Sequence, residues 1–190
     1  MVNPTNYLLI VSTEAYSGKS ATILGIAHQL QERGIAISYG KLLGTFISKD
    51  SKGAIEEDVR FIAATLNLGR DRVKMPLLYL NEDTILKRLQ GEDSTDYSGT
   101  LKDYCQDGGS DLVLLEGAGT LAEGSLFNLS AVQIAQQLNA SILLVARYSS
   151  LFLVDSLLGA KQYLGAFAGK GSPLLGVSIN DIPLDKLEAT

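Results

Sequence analysis

The sequence feature that most restricts the fold is a polar loop set between an apolar run and an amphipathic segment. The apolar run spans Tyr7–Val11, the polar loop spans Ser12–Ser20, and a helical pattern follows from Ala21 to Arg33. In a buried strand, polar loop and helix of this kind, backbone N–H groups at the start of the helix point toward an anion. The order of these segments therefore predicts a phosphate-binding loop.

The last three residues of this loop have chemistry that suits a nucleotide. Gly18 lets the backbone approach phosphates, Lys19 places a charge near the terminal phosphates, and the Ser20 hydroxyl can ligate Mg²⁺. Ser12 takes the position of the first glycine in the general G-x-x-x-x-G-K-[ST] pattern. The alternative interpretation is an ordinary strand-to-helix turn, in which Ser17 caps the helix and the lysine is solvated.

The composition of the chain limits its class and its partners. Its 190 residues are 46% hydrophobic and 19% charged, which predicts one folded domain over residues 1–190. The formal charge is −5 and no basic stripe is visible, so we expect no nucleic-acid partner. No apolar run approaches the roughly 20 residues that span a bilayer, so we expect no membrane partner. Cys105 is the only cysteine, which predicts a reducing, cytoplasmic compartment.

A lysine follows the second predicted strand. Ile35–Gly40 is short and nearly continuously apolar, as buried parallel strands are, and Lys41 comes directly after it. Because the carboxyl ends of parallel strands gather at one crevice, we expect Lys41 on the same edge as the phosphate loop. Lys41 is either a second cation for a phosphate or carboxylate substrate or a solvated loop residue, and its spacing favours neither.

Three acidic residues open the next predicted helix. The polar stretch Gly44–Gly53 is expected to be a loop, and Ile55–Leu68 returns to helical spacing with Glu56, Glu57 and Asp58 at its start. Acids in a first helical turn usually complement the helix dipole. The alternative is that Asp58 turns toward bound Mg²⁺, which prefers carboxylate and phosphate oxygens.

An acid also ends the central apolar strand. Asp111–Leu115 predicts a buried strand, and Glu116 follows it directly, before the small residues Gly117–Gly119. A carboxylate at this edge can hold Mg²⁺ directly or through water, while the glycines keep the backbone close to a ligand. The alternative is a strand that ends in an ordinary turn.

Two further strands end in polar residues. Arg147 follows the predicted strand Ser141–Ala146, where it could steady a phosphate, hold a neighbouring subunit's carboxylate or form a structural ion pair. Asn180 follows Leu174–Ile179, and its amide suits an adenine edge, although Asn-Asp is also ordinary turn chemistry. The other predicted segments are an extended run at 75–80, a helix after a cap at Asn81 or Asp83, a loop at 91–99, and helices at 101–105, 130–138 and 154–164.

Taken in the same order along the chain, these segments resemble dethiobiotin synthetase and its P-loop relatives. The likeness spans nearly the whole chain. It looks closest to the dethiobiotin-synthetase-like N-terminal domain of phosphotransacetylase-family proteins, which share Ser-Thr-Glu-x-Tyr-Ser-Gly-Lys-Ser, Glu-Gly-Ala-Gly and Ala-Arg-Tyr. The resemblance implies a three-layer α/β fold of the P-loop NTPase type, with a doubly wound, mostly parallel sheet.

The resemblance also implies a role for individual residues. Lys19 and Lys41 would be catalytic, since Lys41 matches the synthetase lysine that contacts the carbamate and the transferred phosphate. Ser20, Asp58 and Glu116 would surround Mg²⁺, and Asn180 would read adenine. The implied contacts with ATP are Thr13, Glu14, Tyr16, Ser17, Gly18, Lys19, Ser20, Ala21 and Asn180. The family pattern further implies a homodimer with sites near the subunit interface.

Two functions are compatible with these residues. The first is a Mg-ATP-binding module that senses or regulates, as part of a phosphotransacetylase-like protein. The second is an ATP-dependent ligase that phosphorylates a carboxylate or carbamate before an amine attacks it. A partition-type ATPase is less favoured, because those proteins carry a signature lysine near the start of the loop, where this chain has Ser12–Glu14.

Overall fold

The computed structural model describes residues 6–44, 47–50, 53–105, 109–167 and 173–187, and a six-stranded sheet forms its centre. The strands are β1 Asn6–Ser12, β2 Ile37–Lys41, β3 Leu43–Gly44, β4 Ile47–Asp50, β5 Gly53–Glu56, β6 Val73–Lys74, β7 Leu78–Tyr79, β8 Leu112–Glu116, β9 Ser141–Arg147 and β10 Leu174–Asn180. The strand order in the central sheet is β10-β9-β1-β8-β2-β6. The α-helices are α1 Lys19–Glu32, α2 Glu57–Thr65, α3 Glu82–Leu89, α4 Tyr97–Cys105, α5 Ala131–Leu138 and α6 Leu153–Phe167.

Helices cover both faces of this sheet. Alternate residues of β1 point to opposite faces, so that Leu8 and Ile10 pack with the buried residues of α1 and α2. Leu9 and Val11 pack on the other face with buried residues of α4, α5 and α6. Burial on both faces explains why the central strands are nearly continuous apolar runs. The structure is therefore a three-layer, doubly wound α/β fold, as predicted.

The register of the sheet brings five strand ends to one edge. The strand pairings of the six-stranded sheet are parallel throughout its described residues. Lys41 is paired with Glu116, and Asn180 with Arg147, while β1 lies between β8 and β9 and ends at Ser12. The polar residues predicted at strand ends therefore share the edge from which the phosphate loop leaves β1.

The stretch between β2 and α2 differs most from the sequence prediction. Gly44–Gly53 was expected to be a loop, but its described residues include β4, which pairs with β5 in an antiparallel ribbon. The helix expected from Ile55 begins only at Glu57, because Glu56 has an extended backbone with φ −72° and ψ 113°. Glu56 thus ends a strand, and its side chain is directed by a tertiary ion pair with Lys41 and not by a helix dipole.

The short strands β3 and β6 were not predicted, and the other boundaries differ from prediction by a few residues. Asn81 caps α3, as predicted, with its side chain accepting from the Thr84 amide at 2.9 Å. The loop predicted up to Gly99 is shorter, because α4 begins at Tyr97 after the Asp96 carboxylate accepts from the Ser98 amide at 2.9 Å. Only part of the extended run at 75–80 is a strand, namely β7. None of the helices among the described residues has the length and apolar character of a membrane span.

Candidate nucleotide site

The loop between β1 and α1 forms one wall of a cleft of about 510 Å³. Gly18 has φ +99° at the start of α1, a left-handed conformation that glycine adopts without strain. Most of the predicted site residues line this cleft, namely Tyr16, Ser17, Gly18, Lys19, Ser20, Ala21, Lys41, Asp58 and Glu116. Glu123, which the sequence did not single out, lines it too.

Three predicted site residues lie outside the lining of this cleft. Thr13 lines a separate groove of about 300 Å³ beside α6, and Glu14 is exposed. Asn180 contacts the loop from the side, since its Nδ2 donates to the Ser17 carbonyl at 3.3 Å. A Cβ on Gly18 would lie 2.0 Å from the same Nδ2. The close approach of Asn180 is therefore a second reason for glycine at position 18.

Lys19 is bound inside the loop by Ser12. The Lys19 ammonium donates to the Ser12 hydroxyl at 2.8 Å, and both residues are buried. The Ser12 Oγ also lies 2.8 Å from the Glu14 carbonyl and 3.2 Å from the Gly119 carbonyl, which can accept its proton. Burial lowers the pKa of Lys19 from its ordinary value, although the Glu116 carboxylate opposes this shift. Ser12 thus replaces the first glycine of the pattern with a hydroxyl that contacts the loop lysine.

Glu116 is fixed by hydrogen bonds to both of its carboxylate oxygens. Ser20 donates to Oε1 at 3.1 Å, and the buried Tyr39 hydroxyl donates to Oε2 at 2.6 Å. Burial raises the pKa of Glu116, while the hydrogen bond from Tyr39 opposes the rise. Tyr39 was not predicted to belong to the site, although a signal was present in the sequence: it precedes Lys41 by two residues on β2, so both side chains point to the same face.

A second ionic cluster lies at the end of β2. The Lys41 ammonium donates to Glu56 Oε1 and to Asp58 Oδ2, each at 2.5 Å. Glu56 is fully buried, whereas the Asp58 side chain is 49% exposed at the edge of the cleft. Although burial opposes the charge, the hydrogen bonds to Asp58 and Glu56 raise the pKa of Lys41. No pattern in the sequence indicated that Glu56 would meet Lys41, because Glu56 was assigned to a helix.

The residues around Ser20 fit a magnesium ion that is bound together with a nucleotide. A hydroxyl and a carboxylate are in contact there, and both are oxygen ligands that Mg²⁺ accepts. Among the described residues no group of three or more His, Cys, Asp or Glu side chains forms a metal cage. In Mg²⁺ sites of nucleotide-binding proteins, phosphates and waters usually complete the coordination. Asp58 contacts Lys41, so its part in metal binding stays a prediction.

A smaller pocket of about 280 Å³ adjoins the outer side of the loop. Tyr16 and Ser17 belong to the lining of both this pocket and the cleft, so the two spaces share a wall. The other lining residues are Arg147, Asn180 and Asp181. Arg147 Nε donates to Asp181 Oδ2 at 2.9 Å. Arg147 therefore forms an intramolecular ion pair, and its contacts with a phosphate or with a neighbouring subunit stay predictions.

Comparisons with known proteins support the fold of the chain. A family model described as an AAA domain matches residues 6–189. The kinase domain of Escherichia coli tyrosine kinase ETK is 14% identical, with a TM-score of 0.55 over 96% of this chain and 71% of that one. The signal recognition particle receptor FtsY from Elizabethkingia anophelis is 15% identical, with a TM-score of 0.50 over 94% of this chain.

These structural similarities show the fold of the chain. The chain spans about half the length of the FtsY chain, since the match covers 51% of it. At such low identity a similar structure shows a shared fold and not a shared activity. The predicted P-loop NTPase fold is confirmed by these matches and by the strand order of the sheet.

Proposed function

Because the chain belongs to the AAA domain family whose model matches it, we propose that this P-loop nucleotide-binding domain binds Mg-ATP and acts as a sensing or regulatory module. The proposal extends the resemblance to dethiobiotin synthetase and to the N-terminal domain of phosphotransacetylase-family proteins. It includes a single domain over residues 1–190, a cytoplasmic location and a homodimer.

The contact between Ser20 and Glu116 beside Lys19 is the observation that carries this proposal. The hydroxyl and the carboxylate lie in the same cleft as the lysine, at the start of α1, where the first N–H groups have no partner within the helix. Lys19 and the loop amides would bind the terminal phosphates, and Ser20 and Glu116 would hold Mg²⁺. The metal would neutralise phosphate charge. Lys19 would leave the Ser12 hydroxyl for a phosphate oxygen when the nucleotide binds.

The two ion pairs of Lys41 favour a sensing function over a ligase function. An electrostatic catalyst for phosphoryl transfer must present its charge to the transferring group. The Lys41 ammonium is bound by two carboxylates, Glu56 and Asp58, so much of its charge is already compensated. We therefore propose slow or absent turnover, with the nucleotide state as the signal.

The ligase is the alternative function, and one observation supports it. Lys41 lines the cleft beside Lys19, and its raised pKa keeps it protonated at neutral pH. If Asp58 moved to the metal, only Glu56 would still pair with the ammonium, which could then also contact a carbamate or carboxylate substrate. ADP formation measured with a panel of diamines and carboxylates at saturating Mg-ATP separates the two functions. Substrate-dependent ADP release would establish the ligase, and its absence would support the sensing module.

Calorimetric titration with Mg-ATP tests the proposal itself. We expect Lys19→Ala to weaken binding about tenfold to a hundredfold, because a charged hydrogen bond to phosphate is lost. Lys87→Ala is the matched control, since Lys87 lies on α3, outside the cleft lining, and pairs with Asp83 on the surface. A wild-type protein that binds no adenine nucleotide, or a Lys19→Ala variant that binds as tightly as the wild type, would contradict the proposal.

A further inference from the structure

The pocket beside the phosphate loop has a polar wall that the phosphate contacts do not use. Ser17 is 1% exposed, and its hydroxyl has no hydrogen-bond partner among the described residues. Ser17 belongs to the wall shared with the nucleotide cleft. A buried hydroxyl without a partner loses its hydrogen bond to water and gains none, so it indicates a ligand or water at this position. A base attached to phosphates in the cleft would occupy this neighbouring space.

The groups around this pocket offer hydrogen-bond acceptors of two kinds. Asn180 donates its Nδ2 to the loop, which leaves Oδ1 as a neutral acceptor that meets no donor from the described residues. Asp181 offers a carboxylate, one oxygen of which accepts from Arg147 Nε. The backbone of Asp181 has φ +62°, which holds its side chain at the turn after β10.

Adenine and guanine differ in the number of hydrogen-bond donors that they present to such acceptors. On its Watson–Crick edge adenine has one donor group, the N6 amine, which a single amide oxygen can satisfy. Guanine has donors at N1 and N2, which a free carboxylate can accept together. A carboxylate that is already paired with a guanidinium is a weaker acceptor, because its charge is compensated.

We propose that the Arg147–Asp181 ion pair makes the base pocket selective for adenine, by withholding the Asp181 carboxylate from guanine. The inference rests on the proposed nucleotide function and specifies its ligand. Asn180 Oδ1 then accepts from the adenine amine, and Arg147 is a specificity-determining residue that acts through Asp181. Because Arg147 and Asp181 have side chains that are 55% and 61% exposed, their pairing contributes little to folding.

Competition between two nucleotides tests the inference. Dissociation constants of Mg-ATP and Mg-GTP are measured by calorimetry for the wild type, Arg147→Met, Asp181→Asn and the double variant. We expect the wild type to prefer ATP. Arg147→Met should lower the ratio of the GTP constant to the ATP constant by up to about fivefold, because guanine no longer competes with an exposed ion pair for the carboxylate. The double variant should return to the wild-type ratio, since it has no carboxylate.

The controls separate selectivity from general effects. Arg33→Met removes an exposed arginine at the opposite end of α1 and should leave the ratio unchanged. Arg147→Lys keeps a cation that can pair with Asp181, so it should keep the wild-type preference even if Arg147→Met unfolds. A general loss of positive charge would weaken both nucleotides equally and leave the ratio unaltered.

Different negative results would contradict the selectivity for adenine and the nucleotide binding itself. A wild type that binds both nucleotides equally well, or an Arg147→Met variant with an unchanged ratio, would overturn the inference while the proposed function stands. A wild type that binds neither nucleotide would overturn both.

Discussion

Gly18→Ala is expected to destabilise the protein by an amount that can be worked out from its surroundings. The backbone at position 18 has φ +99°, and forcing an L-residue into the left-handed region costs about 1–2 kcal/mol. The new Cβ would lie 2.0 Å from Asn180 Nδ2, the far end of a flexible side chain, so Asn180 must turn away. Its hydrogen bond to the Ser17 carbonyl is then lost, which costs about 0.5–1.5 kcal/mol. Together the two effects give roughly 1.5–3.5 kcal/mol.

Urea denaturation of four variants, Gly18→Ala, Gly34→Ala, Asn180→Ala and the Gly18→Ala/Asn180→Ala double variant, separates these two contributions. Gly34→Ala is the matched control, because Gly34 also has a left-handed backbone, with φ +75°, but a Cβ at this position would meet nothing within 4 Å. It should therefore show only the backbone cost. In an Asn180→Ala background, Gly18→Ala should likewise fall to the cost seen at Gly34. The midpoint and slope of each unfolding curve give the free energy of unfolding.

One result would refute this reasoning directly. If Gly18→Ala is no more destabilising than Gly34→Ala in the wild-type background, the Asn180 side chain does not pack against the loop. Calorimetry on the same variants adds a second check, since a side chain at position 18 should weaken Mg-ATP binding while Gly34→Ala should not.

Two other perturbations test the groups around Glu116 and Lys41. Tyr39→Phe should lower the free energy of unfolding by about 1–3 kcal/mol, because it leaves a buried carboxylate oxygen of Glu116 without a hydrogen bond. The same variant should show a smaller increase in ATP affinity when Mg²⁺ is added. Tyr104→Phe is its control and should be neutral or stabilising, since the buried Tyr104 hydroxyl has no partner among the described residues; equal losses would contradict the role of Tyr39. The pKa of Lys41 is raised on folding, so its stabilisation is complete below the ordinary value of 10.5 and is lost as the pH rises through the folded value. Chemical denaturation between about pH 9.5 and pH 12, at about half-unit intervals, should therefore show a steeper alkaline loss in the wild type than in Lys41→Met, and parallel curves would exclude this linkage.

Most of the residues at the carboxyl edge of the sheet could be predicted, because the local hydrophobic pattern shows where each strand ends. An apolar run predicts a buried strand, and the residue after it lies at the carboxyl end, so Lys41, Glu116, Arg147 and Asn180 could be assigned to one edge. The position of the phosphate loop followed in the same way. What each of these side chains contacts was not predictable, and the roles assigned to them from the resemblance stay predictions.

The residues that these side chains contact were not predicted, because they lie far away in the chain and a local sequence pattern does not relate them. Tyr39 meets Glu116 across 77 positions, and Asn180 meets Ser17 across 163. Glu56 was assigned to a helix by its neighbours, yet a buried lysine ammonium needs a counter-charge, and the β4–β5 ribbon supplies that carboxylate.

The sequence by itself determined the order along the chain of the long strands β1, β2, β8, β9 and β10 and of the helices, the phosphate loop and the polar residue at the end of each of these strands. These features follow from hydrophobic period and from the backbone freedom of glycine, which act over a few residues. Only the tertiary structure decided that Ser12 holds Lys19, that Glu56 and Asp58 share Lys41, and that Arg147 pairs with Asp181. Hydrogen bonds and ion pairs act over about 3 Å, so their partners are fixed by the strand register and helix packing that bring distant residues together.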